Sequence, residues 1–378
     1  MKSWLRAACI AVSLVPACLQ AQVIFSRRIY AEHGRTYQQI WRWNAAEGSL
    51  KPLTKSPHDH SDLVCSRDGK RIVFVSDRTG VWSLDRATGA ERELWSTAGA
   101  LSLELAGIAA DGAPLVQKES LVQRTIVSRL YKGGPHPLQF TGTDEDSTLS
   151  PDGLHLVRSA ATIDPLKSPG MAYVTDTATG QSHVPIGKCG YPAWAPDGKR
   201  IACSSGFVTD AATGKSRVPI GKCELPAWSP DGARLACATT ADIFILDLRT
   251  QKELERVPLP ELATPHYPQE MDWSPDSKEL LLGVYGQNAS STSPQSDFVV
   301  LNLATKTWAR AGSGNDASWI LRRNAVVYST PRDTVPLSPS GEHTVWSSQL
   351  AMFDLAAHKQ TLPTSGLTNN VNPVVCKP

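Results

Sequence analysis

Short apolar runs alternate with polar, glycine-containing turns along nearly the whole chain, a rhythm that predicts strands joined by tight turns. One unit dominates. An aromatic or apolar residue is followed by Ser-Pro-Asp-Gly, a basic residue and a second apolar run, as in Trp228-Ser229-Pro230-Asp231-Gly232 before Arg234-Leu235-Ala236-Cys237. The unit recurs at Trp194 to Gly198, Trp273 to Ser277 and Leu149 to Gly153, more loosely at Cys65 to Gly69 and Ala109 to Gly112, and in degenerate form at Trp319 to Asn324. Proline presets φ, Asp tolerates the next turn position, and Gly accepts the left-handed conformation that ends the turn. Each copy therefore predicts a hairpin.

A second hairpin follows each of the first. It is clearest at Val81-Trp82-Ser83-Leu84-Asp85 with Ala87-Thr88-Gly89, and at Ile243-Phe244-Ile245-Leu246-Asp247. Two hairpins make a four-stranded meander of roughly 34–47 residues, the size of one propeller blade. Second hairpins centre near residues 41, 82, 128, 174, 208, 245, 300 and 352, which predicts eight blades, with seven as the alternative because 101–141 and 313–362 are irregular. Val174 to Cys203 returns almost unchanged 34 residues later as Val208 to Cys237, a tandem copy of one blade. Gln22-Val23-Ile24-Phe25-Ser26 reads as a second strand lacking its first, and Asn372 to Cys376 reads as a first strand ending at its turn. The two ends are expected to share one blade, which removes exposed sheet edges. The fold class expected is an all-β propeller of four-stranded antiparallel blades, one domain over 22–378.

The Ser-Pro-Asp-Gly strand with its following hairpin resembles the TolB-type propeller repeat over about 22–378. It is similar in shape to WD-repeat propellers but lacks their Gly-His and Trp-Asp dipeptides. The resemblance implies a propeller. Similar repeats occur in periplasmic TolB, in prolyl oligopeptidase-like peptidases and in oligogalacturonate lyases, so it implies no single activity. Periplasmic TolB also carries an α/β domain before its propeller, and no segment of this sequence reads as one.

Composition is that of an ordinary globular protein, 41% hydrophobic and 20% charged, and the net charge of +2 gives no case for nucleic acid. Lys2 and Arg6, the apolar run Ala7 to Leu19 and the small Ala21 read as a signal peptide over 1–21, too short for a permanent span. A periplasmic or secreted location follows; Val15-Pro16-Ala17-Cys18 offers the alternative of lipid anchoring through Cys18. No transmembrane segment is expected elsewhere. Cys65, Cys189, Cys203, Cys223, Cys237 and Cys376 remain, and are read as small buried hydrophobes on strands. Pairing of Cys203 with Cys237, or of Cys189 with Cys223, is left open.

Asp68, Asp152, Asp197, Asp231 and Asp276 sit where hairpins need turn formers, so they are read as structural. His58-Asp59-His60 with Asp62 has metal-compatible residue types, but a site would need convergence with His33, His266 or His343, and no metal or cofactor is expected. No Gly-x-Ser-x-Gly elbow and no phosphate loop is present. Trp194, Trp228, Trp273 and Trp319 share one strand position, which predicts packing between blades. The loops Arg27 to Gln38, Asp164 to Pro169, Gln287 to Ser296 and Pro331 to Thr344 each join second and third strands, so they emerge on one face. Arg28, Tyr30, Arg78, Lys167 and Arg332 are the candidate contacts there. The function expected is a monomeric, exported, non-catalytic propeller that binds or scaffolds a protein, peptide or glycan. The alternative is a propeller enzyme acting on polysaccharide.

Overall fold

The computed structural model describes residues 22–30, 36–78, 80–96, 103–119, 125–131, 134–138, 144–160, 170–261, 266–286, 296–321, 323–336 and 344–376. Residues 1–21, with Cys18, lie outside these residues, as does Lys167. Every regular element is a strand, paired antiparallel with its neighbours.

Blade 1 runs outward from Thr368–Cys376 through Gln22–Tyr30 and Thr36–Asn44 to Ser49–Pro52. Blade 2 is His60–Cys65, Arg71–Ser76, Gly80–Asp85 and Glu91–Ser96; blade 3 is Leu103–Ile108, Pro114–Glu119, Thr125–Tyr131 and Gly134–Pro137. Blade 4 is Asp144–Leu149, His155–Ala160, Met171–Asp176 and Ser182–Lys188; blade 5 is Ala193–Trp194, Arg200–Cys203, Phe207–Asp210 and Val218–Pro219. Blade 6 is Leu225–Trp228, Arg234–Ala238, Asp242–Asp247 and Lys252–Pro258; blade 7 is His266–Trp273, Glu279–Gly286, Ser296–Asn302 and Thr307–Trp319. The long Thr307–Trp319 strand then turns inward and pairs through Ser318 and Trp319 with Ala325–Ser329, so it also opens blade 8, which ends in Leu350–Asp354 and Lys359–Thr361. A small hairpin, Asp333–Pro336 with Thr344–Ser347, projects from blade 8.

Backbone pairing of Gln22↔Cys376, Val23↔Val375 and on to Ile29↔Thr368 joins the first and last described strands in one sheet. Apolar clusters connect the blades in cyclic order. Ile24, Ile40, Ile72 and Phe74 fill blade 1 to blade 2; Val73 and Val116 fill 2 to 3; Leu115 and Leu156 fill 3 to 4. Val174 and Ile201 fill 4 to 5, Val208 and Leu235 fill 5 to 6, and Ile245 and Leu280 fill 6 to 7. Phe298 and Tyr328 fill 7 to 8, and Val327 with Val23 and Phe25 returns to blade 1. Strand faces are apolar on both sides because each blade is covered by two neighbours.

The repeated Trp packs between blades and also bonds across them. The indole N–H of Trp194 donates to Thr148 O at 2.9 Å, Trp228 to Ala193 O at 3.0 Å, Trp273 to Ala227 O at 3.0 Å and Trp319 to Asp272 O at 3.3 Å. Each acceptor lies on the innermost strand of the preceding blade. A buried indole N–H needs such a partner. In the turns, Ser66, Ser150, Ser229 and Ser274 donate to the carboxylates of Asp68, Asp152, Asp231 and Asp276, which also accept backbone N–H groups. The aspartates are therefore turn anchors.

The cysteines correct the sequence reading. They are buried on and beside strands, but they form disulfides, and neither pairing left open occurs: the bonds are Cys189–Cys203, Cys223–Cys237 and Cys65–Cys376. Cys203 and Cys237 occupy equivalent strands of adjacent blades, and stacked sheets lie about 10 Å apart, beyond the reach of a disulfide. Within one blade the linker turns back onto the second strand, held by Ser204 N–H donating to Gly190 O, and Cys189 and Cys203 come to 5.0 Å between Cα atoms. Cys65–Cys376 ties the innermost strands of blades 2 and 1, with Cα atoms 5.7 Å apart across 311 residues of sequence. On chain entropy the long bridge is worth roughly 5–6 kcal/mol against about 3 for each short one. A Cys65→Ala/Cys376→Ala double variant is accordingly expected to lose more thermal stability than Cys189→Ala/Cys203→Ala, as read by calorimetry; the reverse order would show that the seam carries little of the fold.

Candidate functional site

Where blades 1, 2 and 8 meet, on the face of the second-to-third-strand loops, a cavity of about 240 Å³ is lined by Arg28, Gln38, Asp59, Ser61, Arg78, Arg332, Val371 and Asn372. Three of the five candidate contacts share it although they lie far apart in sequence. Strand pairing explains the convergence. Arg28 stands near the end of the strand that pairs with the C-terminal strand, and Arg332 begins the projecting hairpin of blade 8. Arg78 follows the second strand of blade 2 with a φ of 62°, a left-handed turn that no glycine relieves.

Arg28 is held in place. Its guanidinium meets both oxygens of Asp59 at 3.2 and 3.3 Å, and also donates to Gln38 Oε1 at 3.1 Å and Thr36 Oγ1 at 3.2 Å. Asp59 is fixed in turn: its N–H donates to Asp77 Oδ1 at 2.9 Å, and Asp77 N–H donates back to Asp59 O at 2.7 Å. His58 Nδ1 lies 2.7 Å from Asp77 Oδ2. A partly exposed pair of this kind contributes little stability by itself, but the two-point contact fixes geometry. Arg78 and Arg332 are exposed and make no hydrogen bond or ion pair among the described residues. The site thus holds one braced guanidinium and two free ones.

Tyr30 flanks the cavity and donates its hydroxyl to the carbonyl of Trp346 in the projecting hairpin. Burial raises its phenol, while Arg28 and then Arg332 pull it back. Tyr30 anchors the hairpin beside the mouth. Lys167 lies outside the described residues.

The His58-Asp59-His60 segment contributes Asp59, which braces Arg28. Among the described residues no group of three or more His, Cys, Asp or Glu side chains could hold a metal ion. His60 is buried, stacked edge-on against Phe74 at 4.8 Å, with Nε2 2.9 Å from Ser56 Oγ. Burial lowers its pKa, opposed mainly by Glu91. His33 and His343 lie outside the described residues.

Further carboxylates stand on innermost strands; of these, sequence reading singled out Asp62 alone. Asp62 is on blade 2, Glu104 on blade 3, Glu270 and Asp272 on blade 7 and Asp316 on blade 8. Asp316 accepts from Asn372 N–H, a cavity residue, at 3.2 Å. Burial raises the Asp316 carboxyl; the Asn372 N–H and Arg332 oppose the rise. Burial pushes Asp62 up to about 6, against an N–H from Leu105, and pushes Glu270 up to about 7, reinforced by Asp316 and Asp272. Glu270 presses so closely on the paired strand that a side chain at Gly283 would meet its Cγ at 2.5 Å. The signal was present as acidic residues in otherwise apolar first strands, but which blades face each other is not readable from spacing.

A carboxyl raised in the fold stabilises it fully below its unfolded pKa, and that contribution is lost as pH rises through the folded value. For Glu270 the window runs from about 4.5 to about 7. The variant Glu270→Gln is expected to gain on the wild type by on the order of 1–3 kcal/mol between pH 5 and pH 8, measured by denaturant unfolding. Parallel pH profiles would remove Glu270 from the account.

Among known proteins, no family model and no curated sequence matches this chain. Solved structures do resemble it. TolB from Acinetobacter baumannii is 14% identical with a TM-score of 0.44, over 96% of this chain and 68% of that one. An oligogalacturonate lyase in complex with manganese is 13% identical with a TM-score of 0.45, over 85% of each. The tricorn protease is 12% identical with a TM-score of 0.41, over 86% of this chain and 37% of that one. Likeness at this level carries no argument about activity. The propeller architecture rests on the sheets and clusters of the chain itself.

Proposed function

We propose that the protein is an exported binding propeller that captures an anionic group, a carboxylate or phosphate, of a peptide or glycan partner at the arginine-lined mouth. The observation that carries this reading is the meeting of Arg28, Arg78 and Arg332 in one cavity, two of them without a partner among the described residues. Arginine presents planar donors that match carboxylate and phosphate geometry. A rigid ring with functional side chains on loops of one face is a common binding design. Asp59 and Gln38 brace Arg28, so the mouth presents its guanidinium groups from a fixed geometry, which suits capture. Three disulfides support an oxidising compartment and so export. Among the described residues no helix is long and apolar enough to cross a membrane.

The test is a cross-linking pull-down from envelope extract with wild type and an Arg78→Ala/Arg332→Ala variant. A specific partner is expected with the wild type, and about a 10–100-fold weaker interaction with the variant, falling further with added salt. Both side chains are exposed, so unfolding stability should change by no more than about 0.5 kcal/mol. Recovery of no specific partner, or of the same partner equally with both proteins, would contradict the proposal.

A further inference from the structure

A second cleft lies on the opposite face, between blades 4 and 5, and its origin is visible in the repeat. Its volume is about 470 Å³, and its lining includes His155, Val174, Val184, Trp194, Gly198 and Asp210. In three blades an arginine follows the turn and reaches toward the next blade. Arg200 of blade 5 stacks over Trp228 of blade 6 at 4.7 Å and donates from Nη2 to Gly232 O at 2.9 Å. Arg234 of blade 6 stacks over Trp273 of blade 7 at 4.7 Å and donates to Ser277 O at 2.8 Å. Arg71 of blade 2 lies against Gly112 of blade 3, so closely that a side chain there would meet Nη2 at 2.6 Å. In blade 4 the equivalent residue is His155, fixed in register by Ser150 N–H donating to His155 O, as Ser229 N–H donates to Arg234 O.

Imidazole is too short for the task. His155 sits 6.4 Å from the Trp194 ring at an interplanar angle of 33°, and no cation covers that indole among the described residues. Gly198 O, the counterpart of Gly232 O and Ser277 O, accepts no hydrogen bond among them either. Asp210 at the cleft uses Oδ1 to bind Thr213, leaving Oδ2 unpartnered among the described residues. An indole face, a carbonyl and a carboxylate oxygen therefore surround the space that a guanidinium fills in the next two interfaces. Lys199 stands at the exposed rim.

We propose that this cleft receives the arginine side chain of a peptide or protein partner, which takes the place vacated by the missing repeat arginine. Cation–π stacking on Trp194 and donation to Gly198 O and Asp210 Oδ2 would select guanidinium over an uncharged isostere. The site is independent of the arginine-lined mouth.

Calorimetric and NMR titration with acetyl-Gly-Arg-Gly-amide tests it, with the citrulline analogue and free arginine as comparison arms. The arginine peptide is expected to bind saturably at about millimolar concentration, to shift the indole N–H signal assigned by its loss in Trp194→Phe, and to bind about tenfold more tightly than the citrulline peptide. The variant His155→Arg, which restores the repeat residue, is expected to abolish binding, and His155→Ala, which widens the cleft, to keep it. No saturable binding, equal binding of citrulline, or retained binding by His155→Arg would overturn the proposal. Tighter binding of free arginine than of the peptide would overturn the peptide source. Should His155→Arg fail to fold, the Trp194 shift and the citrulline comparison in wild type decide the matter.

Discussion

The structure depends on one bond made repeatedly: an indole N–H at the end of a blade's first strand, donated to a carbonyl on the first strand of the blade before it. Innermost strands have a neighbour on only one edge of their own sheet, so part of their backbone must find partners outside it. The Trp supplies one, and its ring fills the wedge between sheets at the same time. Blades without the Trp use other means. Leu149 and Cys65 hold that position in blades 4 and 2, and the seam between blades 1 and 2 is closed by a disulfide.

Closure is also what makes the mouth. Arg332 of blade 8 comes beside Arg28 and Arg78 of blades 1 and 2 because the C-terminal strand pairs with the N-terminal one. The arginines accompany first-strand carboxylates that burial holds partly protonated, Asp62 and Glu270 among them. Cationic side chains at the loop face thus share the ring with buried first-strand carboxyls whose ionisation is held back by desolvation.

Much of this was legible in the sequence. Turn chemistry located the first hairpins, and the duplicated stretch fixed the register between blades. The loop face followed from counting strands, and Arg28, Arg78 and Arg332 were named on that ground alone. What the sequence withheld depends on distance between chain-remote groups. Cys189 and Cys203 looked like copies of a packing position, because the return of the linker onto its own blade is a matter of backbone path. The cleft beside Trp194 was hidden for a different reason. His155 is conspicuous only once Arg200 and Arg234 are seen lying over the next blade's indole.

The central claim is that both chain ends lie in a single closed sheet. Native-state hydrogen exchange on the oxidised protein tests it most directly. Amides of Gln22–Tyr30 and Thr368–Cys376 should exchange only with global unfolding, as slowly as those of the interior strands Leu225–Trp228 and Arg234–Ala238. Exchange of either terminal strand at rates near those of a free peptide, with the interior strands still protected, would mean the circle is not sealed there.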